Sequence, residues 1–165
     1  MHKKHLTCPA LLAFLLLSTS VYADDESEEL PSYVLLDDKF VTRNKAAADE
    51  VFFAYDQKAI SAKLKEFGME MPKEFILPED SLIVFAVSDF THEAFTSMSA
   101  IKPKRTFVVD LKADKESEQP KAAPEGKKNS RCLLVSCPPI KGIKAWAIQT
   151  ADTKRHSVKG TEVKK

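Results

Sequence analysis

The segment Ser81-Leu82-Ile83-Val84-Phe85-Ala86-Val87 is an unbroken apolar run rich in β-branched side chains. Successive side chains of a strand point to opposite faces, so a strand with no polar alternate must be covered on both sides. The run is therefore expected to be a central strand, with the rest of the chain supplying layers above and below it. The best layer precedes it. Asp56 is a good N-cap, Ile60, Leu64 and Phe67 fall at i, i+4 and i+7, and Gly68 stands at the stop position. That predicts an amphipathic helix of about three turns with Lys58, Lys63, Lys65 and Glu66 on its wet side.

Other strands are expected at Glu50–Tyr55, Thr106–Leu111, Cys132–Ser136 and Ile143–Gln149, the last alternating as a half-buried strand should. Tyr33–Leu36 and Lys39–Val41 suit a first strand or extended arm, and Ala94–Ile101 is ambiguous, since Phe95, Met98 and Ile101 fit period two poorly. Ala113–Arg131, with Pro120, Pro124 and Gly126 among charged residues, reads as a long hairpin loop. The expected class is α+β: one amphipathic helix packed on an antiparallel sheet of about five strands, a single domain over residues 33–150. Residues 24–32 read as a disordered acidic lead-in, and 151–165 as a basic flexible tail containing Lys154, Arg155, Lys159, Lys164 and Lys165.

The N-terminus bears on where this domain works. Lys3 and Lys4 precede the apolar block Ala10–Leu17, and Val21-Tyr22-Ala23 puts small side chains where a signal peptidase requires them. Residues 1–23 are expected to be a secretory signal peptide cut between Ala23 and Asp24, and the product to be periplasmic or secreted. The block is far shorter than the roughly 20 apolar residues that cross a bilayer, so no transmembrane anchor is expected after cleavage. Loss of Lys3 and Lys4 leaves the 24 acids just ahead of the bases, a formal charge of about −1. Nothing in that balance implies a nucleic-acid partner.

The remaining cysteines, Cys132 and Cys137, are five apart in a strand. Their Cα atoms would then be about 16 Å apart with side chains on opposite faces, which argues against a disulfide between them. Cys137 before Pro138-Pro139 is a candidate reactive thiol, although burial as a small hydrophobe is the simpler reading. Ser88, Asp89 and His92 are the one local set in which nucleophile, acid and base types meet, but chain proximity does not make a triad. Two Cys and one His in the ordered region are too few for structural zinc, and the acids of 24–29 lack the spacing and glycine of a calcium loop. No glycine-rich phosphate loop is present. No cofactor, metal or catalytic residue is therefore assigned. Phe90, His92 and Phe95, just past the central strand, are the candidate partner-binding residues, and Trp146 is expected in the core.

The succession Ile60–Phe67, Pro78–Val87, Leu133–Pro139 and Ile143–Gln149 resembles the C-terminal domain of an exported bacterial protease-complex regulatory subunit (PrcB-like), over about residues 50–150. That family has a Gly-Gly-Tyr turn after its first core strand where this chain has Thr96-Ser97-Met98-Ser99-Ala100. The resemblance implies a non-enzymatic α+β domain that binds another envelope protein, with no catalytic residues to carry over. The leading expectation is thus an exported accessory or protein-binding module. The alternatives are a small envelope hydrolase or thiol-redox protein using Ser88/His92 or Cys137, and a structural envelope protein.

Overall fold

A computed structural model describes residues 27–73, 77–101, 105–114 and 120–164; the expected signal peptide and its cleavage point at Ala23 and Asp24 lie outside them. The apolar run forms strand β4 (Leu82–Ser88), buried throughout. Its two faces enter two separate cores. Leu82, Val84 and Ala86 join Val51, Met98, Phe107, Val135, Trp146 and Ile148 on the inner face. Ile83, Phe85 and Val87 join Phe52, Ile60, Leu64 and Leu134 on the outer one.

The outer core is closed by helix α1 (Gln57–Glu66). Asp56 caps it by accepting from the Lys58 N–H at 2.7 Å, Ala59, Ile60 and Leu64 are buried, and Gly68 follows at φ 72°. The remaining strands are β1 (Ser27–Leu30), β2 (Tyr33–Asn44), β3 (Glu50–Ala54), β5 (Glu93–Ile101), β6 (Thr106–Ala113), β7 (Lys127–Cys137), β8 (Ala145–Gln149) and β9 (Arg155–Glu162). With β4 they form one nine-stranded sheet in the order β1-β5-β6-β8-β9-β3-β4-β7-β2. Pairs β3/β9 and β6/β8 are parallel and the others antiparallel.

The sheet cannot be flat. Its two edge strands, β1 and β2, are joined only by Pro31 and Ser32. Three Cα steps reach about 11 Å, whereas the edges of a flat nine-stranded sheet stand about 38 Å apart. The sheet therefore curls into a half-barrel whose concave side holds the inner core. Asp37, within an irregular stretch of β2, fastens the gap between β2 and β5. Its Oδ2 accepts from the Phe95 N–H at 3.0 Å, while Nε of buried Arg131 donates to its carbonyl at 2.8 Å and its Oδ1 at 3.1 Å. The same guanidinium donates to Asp114 just past β6 at 3.3 Å. Burial pushes the Asp37 carboxyl above its ordinary value, and the Phe95 N–H and Arg131 offset this only in part.

These observations correct the expected class. The protein is mostly β, 54% strand and 8% helix, with a mixed curled sheet in place of an antiparallel five-stranded α+β arrangement. Three segments account for the difference. Ser27–Leu30 of the supposed lead-in pairs with β5, and Glu93–Ile101, ambiguous in sequence because its apolar residues fit period two poorly, pairs on both sides. Arg155–Glu162, expected as a basic tail, lies between β8 and β3 near the middle of the sheet. Its outward side chains are exposed and polar because α1 packs on β3 and β4 and leaves them uncovered, so hydropathy concealed a strand that its backbone pairing makes central. The expected loop at 113–131 also shrinks, since β7 begins at Lys127.

Inside the half-barrel, Trp146 packs against Phe53 and Phe107 at ring-centroid distances of 5.3 and 5.5 Å. It lies against β9 at Gly160, where a Cβ would sit 2.0 Å from its Cδ1. The indole is buried and its Nε1 has no hydrogen-bond partner among the described residues, so packing alone holds it.

Gly160→Ala should lower stability by about 2 kcal/mol or more, because the ring has nowhere to move in a packed interior. Urea unfolding followed through this sole tryptophan tests it, and an unchanged midpoint overturns the assigned packing. Arg131→Met removes the cation between Asp37 and Asp114 and should cost about 3 kcal/mol at neutral pH. Without the guanidinium the folded Asp37 pKa rises further. A raised folded pKa contributes stability below the unfolded value of 3.8 that is lost as pH rises through the folded value. The deficit of the variant should therefore shrink as pH falls from 7 toward 4; a constant deficit would refute the role of Asp37.

Candidate functional site

Three segments meet where β7 ends. Tyr33 opens β2 opposite Ser136, Cys137 is the last residue of β7, and Leu77–Ser81 leads into β4. Pro138 and Pro139 have no N–H to give a neighbouring strand, so the ladder stops there. The result is a hollow of about 440 Å³ lined by Tyr33, Leu35, Leu77, Pro78, Pro138 and Pro139, with Ser81, Ser136 and Cys137 completing its walls. Tyr33 is 69% exposed and Val34 42%; they are the exposed large hydrophobic residues among those described.

A second hollow of about 550 Å³ adjoins the first, sharing Leu77, Pro78 and Ser81, and reaches the start of α1 at Asp56, Gln57 and Lys58. Its outer wall is the turn Pro78–Ser81. There the Ser81 N–H and hydroxyl both donate to the Pro78 carbonyl, at 3.2 and 2.8 Å, and Asp80 is held at φ 64°, a left-handed conformation Asp tolerates better than most residues. Tyr55 also lines this hollow, and its hydroxyl donates to the Ile140 carbonyl, tying β3 to the chain beyond the two prolines. Burial raises the pKa of that phenol.

The residues singled out from sequence lie elsewhere, with one exception. Phe90 and His92 follow the far end of β4, about 20 Å along the strand from Leu82. Phe90 is half-buried against the inner core and 5.1 Å from the His156 ring, whereas His92 is exposed. Phe95 also packs on the inner core, and it lines a separate hollow of about 580 Å³ beside Leu30, Pro31 and Val34. Ser88 is buried, and the Asp89 carboxylate accepts from Ser130 Oγ at 2.9 Å and pairs with Arg43 and Lys128. No hydrogen bond joins His92 to either, so the three do not form a relay here.

The exception is Cys137, which lines the first hollow yet is only 2% exposed. Burial pushes its thiol up to about 12, and that of Cys132 likewise. The two are free and face opposite cores, Cys137 inward and Cys132 toward the helix. Neither meets the usual requirement for a nucleophile, a stabilised thiolate. Among the described residues no group of three or more His, Cys, Asp or Glu converges as metal ligands would.

Compared with known proteins, the chain matches no family model, no curated protein and no solved structure. The chemistry of the hollows therefore rests on their own residues. Sequence reasoning passed over Tyr33, Val34, Leu77 and Pro78. The available signal was an aromatic just after Pro31, to be set beside the Pro138-Pro139 stop of another strand.

At pH 8 a thiol with a pKa near 12 is thiolate in only about one molecule in 10,000. Ellman's reagent should therefore leave both cysteines of the native protein unmodified over minutes and titrate both at once in denaturant. Rapid labelling of Cys137 in the native state would restore the redox reading.

Proposed function

We propose that this chain is an exported, non-enzymatic binding module that takes a segment of another envelope protein into the hollow bounded by Tyr33 and Pro138-Pro139. The observation that carries the reading is the coincidence of the exposed Tyr33 and Val34 with the mouths of the hollows along β2. Exposed apolar side chains are most informative where they sit together beside a recess, and an aromatic at the mouth of an apolar recess is a favoured interface anchor. Among the described residues the walls of the first hollow contain no His, Asp, Glu or Lys, and of its three hydroxyls, on Tyr33, Ser81 and Ser136, that of Ser81 is committed to Pro78. Such a lining suits recognition by shape and apolar contact better than proton transfer. The export signal supports an envelope setting for the partner.

The relocation from Phe90, His92 and Phe95 to Tyr33 follows from burial, since the two phenylalanines already support the inner core. A photo-crosslinking amino acid placed at Tyr33, with a parallel variant at His92, decides between the two faces in living cells. One defined adduct from Tyr33 and none from His92 is expected. An adduct only from His92 would return the site to the β4–β5 turn, and none from either would sink the binding-module reading.

A further inference from the structure

The two adjoining hollows differ in character, and the difference specifies an occupant. The first is apolar, while the second carries the exposed carboxylates of Glu79 and Asp80. Neither of these acids makes an ion pair among the described residues. Their position is set: the Pro78–Ser81 turn is closed by two hydrogen bonds to one carbonyl, and Asp80 projects from a left-handed backbone within it. Leu77, shared by both hollows, is three residues from Asp80, at most about 11 Å.

We propose that the trough formed by these hollows binds an extended peptide segment that places one apolar side chain between Tyr33 and Pro139 and a Lys or Arg against Glu79 and Asp80. Extended peptides dock on surfaces built from aromatic rings and prolines, because such walls are rigid and a preformed extended chain loses little entropy on binding. Tyr33, Tyr55, Pro78, Pro138 and Pro139 supply those walls. Carboxylates held in no ion pair among the described residues, which together with Asp56 outnumber the Lys58 cation lining the same hollow, add what an apolar slot cannot, a direction for the bound chain and discrimination against acidic segments. Since Leu77 and Asp80 stand no farther apart than about three extended residues, the cation stands within about three positions of the apolar anchor. The inference rests on the trough being the binding face.

The mature protein is tested by fluorescence anisotropy, at low salt, against an array of Pro/Ala peptides each carrying one Leu or Phe, with Lys at varied distance from it, and a matching array with Glu. The best Lys peptide should bind about ten-fold more tightly than its Glu counterpart, with the gap narrowing at high salt. Glu79→Gln together with Asp80→Asn, which keeps a residue tolerant of the left-handed turn, should shrink the gap to under about two-fold. Tyr33→Ala should weaken both peptides alike.

Equal binding of the two arrays, still lost in Tyr33→Ala, would overturn the charge assignment and leave the binding face intact. Failure of both arrays to bind overturns the proposed occupant, and the Tyr33 crosslink then reports separately whether the face itself stands. A concentration-dependent dimer abolished by Tyr33→Ala would assign the trough to a second copy of this chain and likewise overturn the proposal.

Discussion

The shape of this protein depends on a two-residue connection. Pro31 and Ser32 join strands that occupy opposite edges of a nine-stranded sheet, and a link of that length cannot span a flat sheet. Curling satisfies the connection and produces a concave face large enough for a core of its own. It also brings the long edge strand β2 against β5, leaving less of its edge open as a template for unwanted pairing. The polar contacts of Asp37 with Phe95 and Arg131, and of Arg131 with Asp114, hold the gap that remains. These charges carry a desolvation cost, visible in the raised Asp37 carboxyl, so they act as a fastening more than as a large source of stability.

Curling divides the interior into two cores with different demands. The outer core has a helix to close it, and its Phe52, Phe67 and Phe85 rings pack at 5.2 to 6.0 Å. The inner core has only the opposing strands, and the bulk that fills it includes Trp146, whose indole fits because β9 carries glycine at 160. β4 is the wall common to both, which is why it has no polar face.

The candidate site arises where this construction runs out. Prolines follow β7 just past Ser136, the partner of Tyr33, so the β2–β7 ladder goes no further and Tyr33 is left beside the recess. The opposite end of β4 behaves differently. Asp89 is locked into a network with Arg43, Lys128 and Ser130, and Phe90 turns back onto the inner core, leaving His92 exposed without an aromatic companion. Of the features that attracted notice in the sequence, Cys137 is the one that reaches the recess, and burial deprives it of thiolate character.

What the sequence determined by itself was local. The apolar run of β4, the Asp56 cap, the spacing of Ile60 and Leu64, and the opposite facing of Cys132 and Cys137 all follow from periodicity and short-range hydrogen bonding, and the structure shows each of them. The curl, the central place of polar β9, the pairing of acidic β1 and the recess beside Tyr33 were decided by tertiary structure. Each depends on backbone pairing between segments far apart in the chain, and backbone N–H and C=O groups are the same in every residue but proline. Side-chain hydropathy reports which faces are covered, and it carries little information about which strands lie side by side.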